Sequence, residues 1–182
     1  MSRTQRQEII NGWDQERLRD CTVALVGSTP SANYILAQLI GLSVGKVYII
    51  DDKRAFDSNP SDDGFLLKLE KSRLPSNAMT LEKIARKMNS EIEIHGRETY
   101  FYSFLASDID IIMDTTNDPY SKSACKNYAI KKDIPFISCS ASENKSVVSF
   151  SKKNKLESII SNSKHRNFSN DYFKVFWSET EA

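Results

Sequence analysis

The sequence predicts an α/β domain: a mainly parallel sheet with flanking helices, preceded by an N-terminal helix. Three observations predict it. Two short apolar runs, Thr22–Val26 and Lys46–Ile50, bracket a helical pattern, the first ending on Gly27 and the second on Asp51. Amphipathic helical stretches then alternate with further short apolar runs, which is the order of repeated strand-helix units. With 182 residues and 40% hydrophobic content, the chain is long enough for one compact domain and a short appendage. We place the domain at residues 1–150 and the appendage at 151–182.

The elements follow in order. From Gln5 to Asp20, the apolar residues Ile9, Ile10, Trp13 and Leu18 punctuate a charged stretch, the pattern of a helix laying one stripe on a neighbour. After the first strand, Ile35, Leu36, Leu39 and Ile40 share a helical face, and Gly41 and Gly45 close that helix. The second strand delivers Asp51 and Asp52 to its C-terminal end. Charges and two prolines make Lys53 to Ser76 an irregular excursion, with one helical turn at Phe65 to Leu69. Leu81, Ile84, Ala85 and Met88 fall at i, i+3, i+4 and i+7, giving a helix from Asn77, followed by a strand at Glu91 to His95. Ile109 to Met113 reads as a strand running into Asp114-Thr-Thr-Asn-Asp118. Asp118-Pro119 starts a helix that runs to Lys132, since the carboxylate accepts orphan N–H groups and proline has none to satisfy. Pro135 to Cys139 and Ser146 to Phe150 are two more strands. Beyond Ser151, lysines among Ser and Asn mark a basic linker, and Tyr172, Phe173, Phe176 and Trp177 cluster near the end.

Composition narrows the function classes. Twenty-five Lys and Arg against 24 Asp and Glu leave a formal charge of +1, which offers no global footprint for nucleic acid or anionic membrane. The polar N-terminus lacks the apolar core of a secretory signal, and no run approaches the roughly 18 apolar residues of a membrane span. Cys21, Cys125 and Cys139 are odd in number and widely spaced, which argues against a disulfide framework or a metal site and for the nucleus or cytoplasm. Packing is the role expected for all three. The lysines from Lys152 read as an exposed linker, with a nuclear targeting signal as the other reading.

The run from Gly27 to Asp51 has the layout of a Rossmann-type nucleotide-binding unit, in which glycines admit phosphates to a helix N-terminus and the acid binds ribose. The loop, however, reads Gly27-Ser-Thr29-Pro-Ser-Ala32: one glycine of G-x-G-x-x-G is present, and Pro30 removes an N–H. A doubly wound domain that binds no nucleotide is the reading these residues favour.

Arg6-Gln7, the block from Leu18 to Gly27, the block from Gly45 to Asp51, and Met113-Asp-Thr-Thr-Asn-Asp118 stand in an order that resembles one family. It comprises the adenylating enzymes that include bacterial MoeB and ThiF and the activating enzymes for ubiquitin-like proteins. Residues 59–66 and 78–89 are most similar to the smaller, non-catalytic subunits of the SUMO and NEDD8 heterodimers. The resemblance implies a degenerate ATP site. Gly27 and Asp51 match the strand-end glycine and the ribose-binding acid. Asp62 stands where a phosphate-binding arginine is expected, after Ser58-Asn59, and an acid there repels a triphosphate. Ser76 or Asn77 takes the place of a phosphate-contacting lysine. Asn117 takes that of the magnesium-binding aspartate, or Asp118 does if the register slips by one.

On its residues alone, Arg6 is one charge on a basic N-terminus. The resemblance implies that it reaches across a dimer interface into the partner's ATP site. The chain is then expected to hold no cofactor of its own, with ATP and magnesium in a catalytic partner subunit and the modifier reached through that partner. Length and the segment Ser169 to Phe173 are similar to the SUMO-type subunit, and the lost glycine loop to the NEDD8 type. Family chains continue with further strands beyond the point matching Ala182, which implies a compacted lineage or a partial chain. Two alternatives stay open: a homodimeric adenylyltransferase of the MoeB or ThiF kind, and, more distant, a nicotinamide-dependent oxidoreductase, which needs glycines where Thr29 and Ala32 stand.

Overall fold

The computed structural model describes residues 4–54, 64–70, 75–142 and 145–151. Five parallel strands and one antiparallel strand form a single sheet. They are β1 (Thr22–Val26), β2 (Lys46–Ile50), β3 (Glu93–Arg97), β4 (Ile111–Asp114), β5 (Phe136–Ser142) and β6 (Lys145–Ser151), in the order β3-β2-β1-β4-β5-β6. β5 and β6 are the antiparallel pair. Each strand but β6 therefore needs a crossover to reach its parallel neighbour, and the helices supply most of these.

Period-2 alternation sorts the strand side chains onto two buried faces. Val23, Leu25, Val47, Ile49 and Ile94 pack under α3 (Pro30–Gly41), α4 (Phe65–Leu69) and α5 (Asn77–Met88), against Leu36, Ile40, Leu67 and Leu81. Ala24, Val26, Ile50 and Ile112 face the other way, onto Cys125 and Ala129 of α6 (Pro119–Lys132) and Phe101 of a single 3-10 turn, Phe101–Ser103. Helices thus cover both faces, as parallel sheets require.

A helical segment precedes β1, as expected, but in two pieces: α1 (Gln5–Glu8) and α2 (Gln15–Arg19). Gly12, at φ +81°, breaks the run, and Asp14 caps the second piece by accepting Arg17 N–H at 2.9 Å. Ile9 is therefore 82% exposed instead of joining a packed stripe. α2 is anchored where Gln15 Nε2 donates to Leu42 O at 3.0 Å and Gly45 N–H to Leu18 O at 2.9 Å. β3 begins two residues later than the sequence pattern suggests, β4 likewise, and β5 and β6 are longer because their mutual pairing extends each ladder. Among the described residues, no helix is long and apolar enough to cross a membrane.

Candidate functional site

The strand order reverses between β1 and β4, and a cleft of about 840 Å³ opens at the C-terminal ends of β1, β2 and β4. This switch point is where open parallel sheets place ligands, because the helices on the two faces diverge there. Gly27, Thr29, Asp51, Asn117 and Asp118, all singled out from sequence, line this one cleft.

Gly27 holds φ at +97°, and a Cβ there would come within 2.7 Å of Thr115 Oγ1, so both backbone and space require glycine. Its N–H donates to Ile50 O at 2.8 Å, closing β1 against β2. Asp51 follows β2 and is 6% exposed. Its Oδ1 accepts Lys53 N–H at 3.1 Å, while Oδ2 is buried without a well-formed hydrogen bond. Burial pushes the carboxyl pKa up, with the neighbouring Ser28 hydroxyl and the Lys53 backbone offsetting part of the rise. Ser28 Oγ also accepts Asn77 Nδ2 at 3.2 Å. Asn77, at the start of α5, therefore faces the loop after β1, while Ser76 is fully buried and caps α5 through Met79 N–H.

The N-terminus of α3 is partly closed by its own residues. Thr29 Oγ1 accepts Ala32 N–H at 3.2 Å, and Pro30 at the first helical position has no N–H. Asn33, 0% exposed, binds this loop from behind: Nδ2 donates to Ser28 O and Thr29 O, and Oδ1 accepts Leu66 and Leu67 N–H at 3.0 and 3.2 Å. It thereby satisfies the orphan donors of α4. Gly64 is needed beside it, since a Cβ would sit 2.2 Å from the Asn33 carboxamide carbon. Nothing in the sequence marks Asn33, because a lone asparagine in a helix reads as solvated surface.

Asp114 ends β4 fully buried, with Lys122 Nζ at 2.6 Å, the Ser138 hydroxyl at 3.0 Å and both donors of Thr116 around its carboxylate. Its charge is thus neutralised inside the protein. Asp118 spends both oxygens on α6, accepting Tyr120 and Ser121 N–H at 3.3 and 2.7 Å, and the Ser121 hydroxyl, with these N–H groups, lowers its pKa. With Asp118 committed as a helix cap, Asn117 stands beside it on the cleft wall. Pro30 and the Thr29 cap thus leave the α3 N-terminus fewer free N–H donors, and Asn117 presents a neutral amide rather than a carboxylate.

Three tyrosines that the sequence reading passed over form the outer wall. Tyr100 caps the 3-10 turn and Tyr102 lies within it, their rings stacked at 5.0 Å and 9°, and Tyr120 belongs to α6. The neighbouring Asp52 carboxylate raises the pKa of the Tyr100 hydroxyl. Arg6 is exposed on α1 and does not line the cleft. Gln7 beside it donates to Gly41 O, at the far end of α3 from the cleft. A helix of that length spans on the order of 18 Å, so Arg6 stands far from its own chain's cleft. Cys21, Cys125 and Cys139 are free, and burial raises all three thiol pKa values, the state of packed rather than nucleophilic cysteines. Asp62, Ser58, Asn59 and the segment beyond Ser151, with its lysines and aromatic cluster, lie outside the described residues.

A doubly wound domain with its cleft at the β1/β4 switch point defines the class. Residues 2–171 match the ThiF family, and the chain belongs to it. The structure is similar to that of E. coli MccB with succinimide, 16% identical, over 85% of this chain and 51% of that chain, with a TM-score of 0.65. It is also similar to E. coli MccB with ATP, at 15% identity over 85% and 51% of the two chains and a TM-score of 0.61. E. coli tRNA N6-threonylcarbamoyladenosine dehydratase, TcdA, is 15% identical over 75% of this chain and 59% of its own, again with a TM-score of 0.61. The chain spans about half the length of the MccB structures it matches. No curated protein matches the sequence.

Proposed function

We propose that this chain is a non-catalytic ThiF-family subunit that supports ATP-dependent adenylation of a ubiquitin-like modifier by a catalytic partner and donates Arg6 to the partner's ATP site. The observation that carries the reading is the closed phosphate half of the cleft: Thr29 capping α3, Pro30 without an N–H, and Asn117 at the metal position. Arg6 supports it from the other side. It is exposed, at the opposite end of α3 from the chain's own cleft, and so is available to another chain. The modifier class, SUMO rather than NEDD8, rests on sequence resemblance alone, and the nucleus and cytoplasm are the compartments proposed with it.

The test is co-purification of the native complex followed by ATP-pyrophosphate exchange. Arg6→Ala is expected to lower exchange by the complex about 100-fold without dissociating it, the scale of losing one charge-stabilising donor. Unchanged exchange in an intact complex overturns the assignment of Arg6. A second reading, a homodimeric adenylating enzyme, is favoured by one observation: Asp51, the ribose-binding acid of the resemblance, still lines the cleft. It requires ATP binding by the chain alone.

A further inference from the structure

The β3 edge of the sheet is closed by side chains, and we propose that Glu82, Arg86 and Arg97 act as a guard that keeps a second copy of this chain from pairing there. β3 is the outermost strand of the described sheet on that side. Glu93 N–H donates to Gly45 O at 2.9 Å and Arg97 O accepts Asp51 N–H at 3.1 Å, so the odd-numbered residues of β3 turn their backbone groups toward β2. Ile94 and Gly96 therefore turn theirs outward, away from the sheet. An edge with such groups open is a template for another strand. Three of these four groups are taken: Glu82 Oε2 accepts Gly96 N–H at 2.7 Å, Arg86 Nη2 donates to Ile94 O at 2.8 Å, and Arg97 Nη1 donates to Gly96 O at 3.2 Å. Glu82 and Arg86 also hold each other across one turn of α5, Arg86 Nε donating to Glu82 Oε1 at 2.9 Å. Gly96 lets α5 come close enough for this, since a Cβ there would lie 2.4 Å from Ala78 O.

The occupant follows from the strand's own sequence, Glu93-Ile-His-Gly-Arg97. Run antiparallel to a copy of itself about His95, β3 sets Glu93 opposite Arg97 and Ile94 opposite Gly96. Ile94 and Gly96, whose backbone groups point outward, then form the hydrogen-bonded pairs, and the charged ends attract. Glu93 and Arg97 are both exposed, and Glu93 meets Lys46 and His95 in its own chain without being covered by them. The same outward groups cannot serve the guard and the copy at once.

Sedimentation velocity over a concentration series, comparing the full chain with its Glu82→Ala/Arg86→Ala variant, tests the guard. The double variant is expected to self-associate about tenfold more tightly or better. Adding Arg97→Glu, which sets an acid opposite Glu93, is expected to return association to the parent's level, and adding Glu93→Arg as well to restore it. Such a rescue separates strand pairing from the aggregation of a misfolded variant. Glu82→Ala alone is the milder change, and it is expected to speed hydrogen exchange of the Gly96 amide about tenfold. An unchanged Gly96 rate overturns the guard whether or not the double variant folds, as does parent-like association of a folded double variant. Association indifferent to the charge reversals overturns the second copy as the occupant.

Discussion

Asp51 carries an energetic signature that can be read apart from any ligand. Its carboxyl is buried and its pKa raised above the ordinary 3.8, so the fold favours the protonated form. A carboxyl with a raised folded-state pKa contributes stability that is fully present below the unfolded value and is lost as pH rises through the folded value. At neutral pH the ionised Asp51 is thus a burden. Asp51→Asn is expected to raise stability at pH 7 by about 1 kcal/mol, a few degrees in Tm, with the gain shrinking toward zero as pH falls to about 4. Thermal melts of both proteins across that range check it. A variant less stable than the parent at pH 7 would mean that Oδ2 has a partner. Gly27 and Asp51 were both legible in the sequence because their chemistry demands their residue types at strand ends. The Asp114–Lys122–Ser138 cluster was not, because its members lie on three elements and meet only once the sheet is assembled.

At the scale of elements, Asn33 couples three of them: the loop after β1, the start of α3 and the start of α4. Replacing it by alanine strands two N–H groups and is expected to cost about 3 kcal/mol, lowering Tm by roughly 10 °C. Gly64→Ala, which drives a Cβ against the Asn33 carboxamide, is expected to destabilise the parent but to be nearly neutral in the Asn33→Ala background. Denaturant unfolding of the two single variants and the double variant checks the coupling, and simple additivity would contradict it. The elements themselves were largely readable. α5 and α6 follow from apolar spacing and from the Asp118-Pro119 start, and the short α4 falls where one helical turn was expected. The N-terminal segment departed from its pattern because Gly12 and the Asp14 cap break what the apolar spacing alone would join. The turn bearing Phe101 carried no periodic signal, so the tyrosine wall it presents emerged only from the structure.

At the scale of the whole molecule, the sheet order and the family match make this chain a ThiF-family domain. Its division of parts supports a supporting role. The cleft has Gly27 and the buried Asp51 at one end of α3, where Thr29 and Pro30 reduce the free N–H donors, while Arg6 stands exposed toward the other end. Solved structures at 14 to 16% identity share the fold, and the activity must be tested on this chain. The most direct measurement is equilibrium binding of ATP with magnesium to the isolated chain. No saturable binding is expected up to about 1 mM, because the α3 N-terminus has few free N–H donors for the triphosphate and Asn117 is a neutral amide, a poor partner for its metal. Saturable, magnesium-dependent binding of ATP in the micromolar range would contradict it.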